Sequence, residues 1–338
     1  MLQKIRAFAA SGPKEPFELI DFEPSALKDD EVDIDVEFCG LCHSDLSMWA
    51  NDWGQTQYPF VGGHEIVGRI SAVGAAVTGL SIGQRVGLGW FSRSNLNSHA
   101  SLCGDHNLSP KNEATIAGRY GGFSERVRCQ WAWAVPLPDA LTVEKAGPLF
   151  CGGITVFNPI VEFDVKPTDK VAVVGIGGLG HIALQFFNKW GCAVTAFTSS
   201  PDKEKEAKSF GAHDTLNSRD PDSWRSARGK FDFILVTVNV TLDWARLMGT
   251  LAPRGRLHFV GAVAEPVSVS VPHMMGGQNQ VSSSPLGSPA RIAQMLEFCE
   301  RHDIAPQTEH FKMSEINAAV ARLEAGDARY RIVLENDF

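Results

Sequence analysis

The run V-A-V-V-G-I-G-G-L-G-H-I-A-L, residues 171 to 184, constrains the fold more than any other stretch of the chain. Four apolar residues suit a buried strand, a glycine-rich turn follows, and H-I-A-L-Q-F-F-N-K-W has the length and apolar texture of a helix. The turn is Gly175, Ile176, Gly177, Gly178, Leu179, Gly180, a match to G-x-G-x-x-G. Glycine at these places permits a tight turn, lets the backbone approach a pyrophosphate at a helix N-terminus, and allows close packing of helix on strand. Taken alone, the match describes a tight turn in any α/β protein. Its setting selects the dinucleotide reading, because a second strand, A-V-T-A-F-T, follows at 193 to 198, with further strand candidates at 231 to 238 and 257 to 261. Strands alternating with helices give a doubly wound parallel sheet, a Rossmann-type α/β domain.

A site for NAD usually carries Asp or Glu about 20 residues after the fingerprint, where it holds the ribose hydroxyls. Here that place reads A-F-T-S-S-P-D-K-E-K. Thr198, Ser199 and Ser200 are neutral donors suited to a phosphate, Lys203 or Lys205 supplies charge, and Asp202 lies past the strand end within a turn. NADP(H) is therefore favoured over NAD. The same residues also read as a helix N-cap, Ser200 before Pro201 with acidic residues in the first turn. The two readings are compatible.

Ahead of the fingerprint the texture differs. Short alternating strands at 31 to 38, 66 to 74 and 84 to 90, separated by glycines, suit a small barrel or distorted sandwich. At 338 residues the chain exceeds the size of a single core, roughly 250 to 300 residues, so two domains are expected. The last stretch carries an amphipathic helix near Pro289 to His302, a second one in S-E-I-N-A-A-V-A-R-L-E-A-G, and a closing strand R-I-V-L. Patterning lets these extend the second domain or return to the first. A net charge of −8 gives no footprint for nucleic acid or an anionic membrane. No secretory signal and no apolar run of about 18 residues occurs, which points to the cytoplasm and to no membrane partner. Seven scattered cysteines fit reduced thiols or metal ligands better than a disulfide framework.

Three fragments belong together: G-L-C-H-S-D at 40 to 45, G-G-H-E at 62 to 65, and L-F-C-G-G-I-T at 149 to 155. A catalytic zinc takes three protein ligands from nitrogen and sulfur donors and keeps one position open. Cys42, His64 and Cys151 supply such a set. Each alone is readable as a buried cysteine or a core histidine. Their order, ahead of a dinucleotide fingerprint, selects the metal reading.

With these motifs the chain resembles the zinc-dependent medium-chain dehydrogenases/reductases, within them the cinnamyl-alcohol-dehydrogenase-like, NADPH-linked aldehyde reductases. The resemblance runs from C-G-L-C-H-S-D through G-H-E, Y-G-G-F and A-G-P-L-F-C-G-G-I-T-V-F to the terminal Y-R-I-V-L. It implies a GroES-like β-barrel catalytic domain of residues 1–152 and 286–338, and a Rossmann NADP-binding domain of residues 153–285. It also implies one catalytic Zn2+ per chain on Cys42, His64 and Cys151, with Asp45 and Glu65 orienting the ligands. Ser44 is then the hydroxyl that bonds the substrate oxygen and passes a proton, Thr155 stands beside the nicotinamide, and His43 and Arg331 lie near the pyrophosphate. The implied reaction is reversible hydride transfer from NADPH to a zinc-polarised aldehyde, giving a primary alcohol. A homodimer through the Rossmann domains is the implied assembly. Trp49, Trp53, Trp90 and Phe91 flank the metal motifs in sequence and suit an apolar pocket for aromatic or medium to long aliphatic aldehydes. The alternatives are a zinc-free quinone or enone reductase on the same fold and a non-catalytic dinucleotide-binding scaffold. Intact Cys42, His64 and Cys151 oppose both.

Two departures from the family pattern stand out. A His five residues after the first zinc cysteine often continues the proton relay, and this chain has Ser47, which cannot change charge near neutral pH. A second, structural zinc is usually held by four cysteines spaced C-x2-C-x2-C-x7-C. At those places this chain carries Asn95, Ser98, Ser101 and Ser109, so the structural zinc is expected to be absent. His99, Cys103 and His106 offer three donors nearby, yet the plainer expectation is a loop held by its own hydrogen bonds and packing, or one partly disordered. Such a loop is expected to be among the weaker parts of the fold unless rewired.

Overall fold

The structure is a computed structural model that describes residues 4–199 and 202–338, with Asp202 described by its backbone alone. Its first unit comprises Met1–Ile154 with Leu286–Phe338, and its second comprises Thr155–Pro285.

The first unit is organised around the strand Glu31–Leu41. Its apolar residues Val32, Ile34, Val36, Cys39 and Leu41 face the core, their period-two phase shifting by one at a bulge between Val36 and Phe38, while Glu31 and Asp33 are buried against Arg93 and Arg128 and Asp35 is exposed. This strand pairs antiparallel with Glu65–Val73, Arg126–Gln130 and Arg331–Glu335 at the centre of a seven-stranded sheet. Thr308–Lys312 adds in parallel beyond Arg331–Glu335, while Arg85–Leu88 and Val135–Pro136 extend the other side. The register matters for the site. Gly40 stands opposite Glu65 and Leu41 opposite Ile332, so Cys42 emerges where Glu65 and Arg331 flank the strand end. Helix Ile316–Glu324 closes the same core with Ile316, Ala319, Val320 and Leu323, spaced as one helical face.

In the second unit six strands are all parallel, in the order Asp214–Asn217, Ala193–Thr198, Lys170–Val174, Phe231–Val236, Leu251–Phe259, Gln280–Ser283. Counted along the chain this is 3-2-1-4-5-6, the doubly wound order, with its reversal point between Lys170–Val174 and Phe231–Val236. The fingerprint turn leaves the first of these two strands and leads into helix Gly180–Trp190, which buries Ile182, Ala183, Leu184, Phe186 and Phe187. Gly191, at φ 107°, ends that helix in the left-handed region that glycine adopts without strain. Among the described residues no helix is long and apolar enough to cross a membrane.

Candidate active site

Cys42 follows the central strand and caps helix His43–Trp49. The third residue of that helix, Asp45, is buried and holds three groups at once. Its Oδ2 accepts the Cys42 N–H at 2.9 Å, and its Oδ1 accepts the Gly63 N–H at 2.8 Å and lies 3.0 Å from His64 Nδ1. One carboxylate thus caps a helix, pins the G-G-H-E turn and orients an imidazole. With Nδ1 engaged, His64 presents Nε2 to Cys151, whose Sγ lies 3.3 Å away after the short turn Gly147–Phe150. The ligand atoms of Cys42, His64, Glu65 and Cys151 all lie within 4.8 Å of one another. His64 and Glu65 are fully buried, and the two cysteines are nearly so.

Charge is concentrated here. A hydrogen bond from Cys151, assisted by the positive charge of Arg331, holds Cys42 well below the usual thiol range despite burial. The same bond, together with burial, pushes Cys151 well above it. Burial alone would lower His64, but the charge and hydrogen bond of Asp45 raise it well above the usual imidazole range. Burial also pushes Glu65 up to about 7, against the pull of Arg331. Arg331 bonds Glu65 through its guanidinium, and Glu65 Oε2 is buried without a hydrogen-bond partner. Two sulfurs, one imidazole nitrogen and an orphaned carboxylate oxygen converging in a buried site are a donor set that fits Zn2+.

The other expected residues are distributed as follows. Ser44 sits beside the cluster, its Oγ 3.9 Å from Cys42 Sγ, while His43 is exposed on the same helix. Ser47 is half-buried there. Thr155 is half-buried and belongs to the second unit. Of the four aromatics, Trp90 packs edge-on against His64 with centroids 5.0 Å apart, and Trp53 packs edge-on against Trp90 at 5.8 Å. Trp49 instead belongs to the core, stacked on Phe17 and donating to Glu15 O, and Phe91 packs on Trp133. Spacing in sequence could not separate these pairs. In the second unit Thr198 is buried at a strand end, Ser199 is exposed, and Lys203 Nζ lies 3.5 Å from Ile176 O in the glycine turn. Ser200 and Pro201, and with them the N-cap reading, lie outside the described residues.

Residues 28–139 match the alcohol dehydrogenase GroES-like domain, and residues 178–301 match the zinc-binding dehydrogenase family. An aldehyde reductase, AdhA, from Synechocystis sp. is 52% identical over 336 residues, covering 99% of each chain. The chain belongs to the zinc-binding medium-chain dehydrogenases/reductases. Within that family it is similar in structure to a cinnamyl alcohol dehydrogenase from Sorghum bicolor, with a TM-score of 0.93, 33% identity and 98% coverage of both chains. A cinnamyl alcohol dehydrogenase from Helicobacter pylori, complexed with NADP(H), superposes with a TM-score of 0.90 at 28% identity and 99% coverage of both. This medium-chain enzyme is an alcohol dehydrogenase or aldehyde reductase of the cinnamyl-alcohol-dehydrogenase-like group.

The enzyme's departure from the family pattern is visible at residues 94 to 112. Ser98, Ser101 and Ser109 are buried together, with Ser98 Oγ 3.0 Å from both Ser101 Oγ and Ser109 Oγ. Ser98 Oγ also accepts the Ser101 N–H at 3.2 Å, and Ser109 Oγ accepts the Asn95 N–H at 3.2 Å and reaches Pro110 O at 3.2 Å. The hydroxyls form a chain running from Ser101 through Ser98 to Ser109 and on to backbone carbonyls. The set consists of hydroxyls bonded to one another and carries no thiolate, so its chemistry is not that of a structural zinc site. His99 and Cys103 approach each other at the surface, 3.8 Å apart, whereas His106 turns to Ser94 and Trp133. Among the described residues, the Cys42, His64, Glu65 and Cys151 group is the one cluster of three or more His, Cys, Asp or Glu close enough for a metal.

Proposed function

We propose that this enzyme reduces aldehydes to primary alcohols with NADPH, reversibly, using one zinc per chain held by Cys42, His64 and Cys151. The observation that carries the reading is the buried convergence of those three ligands with Glu65, all within 4.8 Å. When bound, zinc supplies a Lewis acid for the carbonyl and NADPH supplies the hydride. The chain's own residues do the rest. Asp45 keeps His64 in the tautomer that offers Nε2, and Arg331 balances the charge of Glu65 and the thiolates. Ser44, beside Cys42, is placed to bond the substrate oxygen and give it a proton. Trp53 and Trp90 form an aromatic wall leading from His64, with Trp53 exposed, which suits aromatic or medium to long aliphatic aldehydes.

NADP(H) preference is supported by the absence of Asp or Glu at the end of strand Ala193–Thr198 and by Lys203 at the glycine turn. His43, Arg331 and Thr155 are proposed cofactor neighbours. The serine chain supports a lobe without zinc. Unpaired cysteines throughout fit a reducing cytoplasm, and exposed Val269, Val271 and Met275 ahead of the sheet-edge strand Gln280–Ser283 suit a homodimer.

The deciding experiment measures metal per chain and NADPH oxidation with a panel of aldehydes, before and after chelation. One zinc, and activity lost with it, is expected. Two zincs would refute the single-site reading, and full activity without metal would refute the mechanism. Lys203→Ala is expected to cut kcat/KM with NADPH by roughly 10- to 100-fold, as loss of a charge-assisted phosphate contact implies, and to cost NADH several-fold less, since with NADH only the contact to Ile176 O is lost.

A further inference from the structure

In the second unit the carbonyl oxygens at the start of the fingerprint turn are tied, one after another, to donors from elsewhere. Thr237, the residue after strand Phe231–Val236, sets its hydroxyl 2.9 Å from Val174 O and 2.8 Å from Gly175 O. Its N–H donates to Val174 O at 3.0 Å. Ile176 O faces Lys203 at 3.5 Å. Gly177 O accepts the His181 N–H at 3.1 Å and lies 2.9 Å from His181 Nδ1. Thr237 therefore holds the first two carbonyls, Lys203 Nζ stands at 3.5 Å from the third, and the fourth is held from within the first turn of the helix that follows.

The packing shows how closely Thr237 and the turn depend on each other. A Cβ at Gly175 would stand 3.1 Å from Thr237 Oγ1 and collide with Val238, and a Cβ at Gly180 would collide with the Gly175 carbonyl. That carbonyl is the one the Thr237 hydroxyl holds. Gly175 is required by its φ of 93° and by Val238, and Gly180 by the Gly175 carbonyl that Thr237 holds.

The chemistry gives this a purpose. A pyrophosphate is bound by N–H groups at the start of a helix, and a carbonyl oxygen turned toward it repels it. A glycine-rich turn rotates its peptides cheaply, because no side chain opposes positive φ. Tying the carbonyls to the body of the unit keeps the N–H groups available.

We infer that Thr237 is a positioning residue for the pyrophosphate of the nicotinamide cofactor, its N–H holding the Val174 carbonyl and its hydroxyl that of Gly175, while His181 holds that of Gly177. This rests on reading the fingerprint as the cofactor site.

The test uses purified, zinc-replete, full-length enzyme, with NADPH and NADH titrated by tryptophan fluorescence and steady-state kinetics run alongside. Thr237→Val keeps the branched shape and removes the donor. It is expected to weaken both cofactors by the same factor, roughly three- to tenfold, with the loss on KM rather than kcat. Thr237→Ser is expected to restore binding. Adenosine 2′,5′-bisphosphate, which has no pyrophosphate, should bind the wild type and the Val variant equally. The inference is overturned if the Val variant binds NADPH as tightly as the wild type, if serine does not rescue, or if the bisphosphate loses as much as NADPH. Should Thr237→Val not fold, Thr237→Ala carries the same comparison. A wild type that binds neither nicotinamide would instead overturn the cofactor reading, and this inference with it.

Discussion

Asp45 is buried and serves three groups with its two oxygens: the N–H groups of Cys42 and Gly63, and His64. Partners of metal-bound histidine typically contribute 10- to 100-fold to metal affinity, so Asp45→Asn is expected to weaken zinc binding by about that factor. Competition with a chromogenic chelator measures it, and unchanged affinity would remove Asp45 from the metal site. Ser44→Ala should lower kcat by about 100-fold or more while leaving zinc per chain unchanged, because the hydroxyl lies beside the ligands without being one. The three proposed ligands were legible because each stands in a dense local motif. The pairing of Glu65 with Arg331 was not legible, since the two are 266 residues apart and no spacing rule links them. Arg331 alone reads as a surface arginine, and only the antiparallel pairing of its strand and that of Glu65 on either side of Glu31–Leu41 brings the two together.

The element where four cysteines were expected from the resemblance is the lobe at residues 94 to 112. Ser98 is its hub, capping the short helix His99–Leu102 while bonding two further hydroxyls. Ser98→Ala takes the partner from the buried Ser101 hydroxyl and the Ser101 N–H, while Ser109 keeps Asn95 and Pro110, a loss that costs on the order of 1–3 kcal/mol locally. Faster amide hydrogen exchange across this lobe, with zinc per chain unchanged, is the expected result. Exchange equal to the wild type would mean that the lobe is held elsewhere, by Ser94 on Gln130, Trp133 and His106, and by Arg93 on Asp30 and Glu31. The missing thiolates were legible from register. The hydroxyl chain was not, because four small polar residues in a loop specify no pairing until the loop has closed.

At the scale of the whole chain, the doubly wound unit was legible because βαβ alternation is a local pattern. The pairing of Arg331–Glu335 with Glu31–Leu41 was open on periodicity, since a strand carries no label for its partner sheet. Global stability should show a pH signature from the second unit. His258 is fully buried with its ring nitrogens 2.9 and 3.0 Å from Ser282 Oγ and Ser284 Oγ, and burial pushes it down to about 4. As pH falls from about 6.5 toward 4 the unfolded chain takes up a proton that the folded chain refuses, so stability falls, by at most on the order of 3 kcal/mol. Below that window both states are protonated and no further loss arises here. Thermal unfolding of His258→Gln, which keeps polar contacts without titrating, is expected to depend less on pH over this range, and an unchanged dependence would count against His258 as the source. Six of the seven cysteines are buried and Cys103 alone is exposed, on the lobe. The wild-type chain therefore offers a thiol-reactive fluorophore or spin label a single address, on the very element whose integrity is in question, so that the lobe's motion can be followed in the working enzyme without engineering any residue.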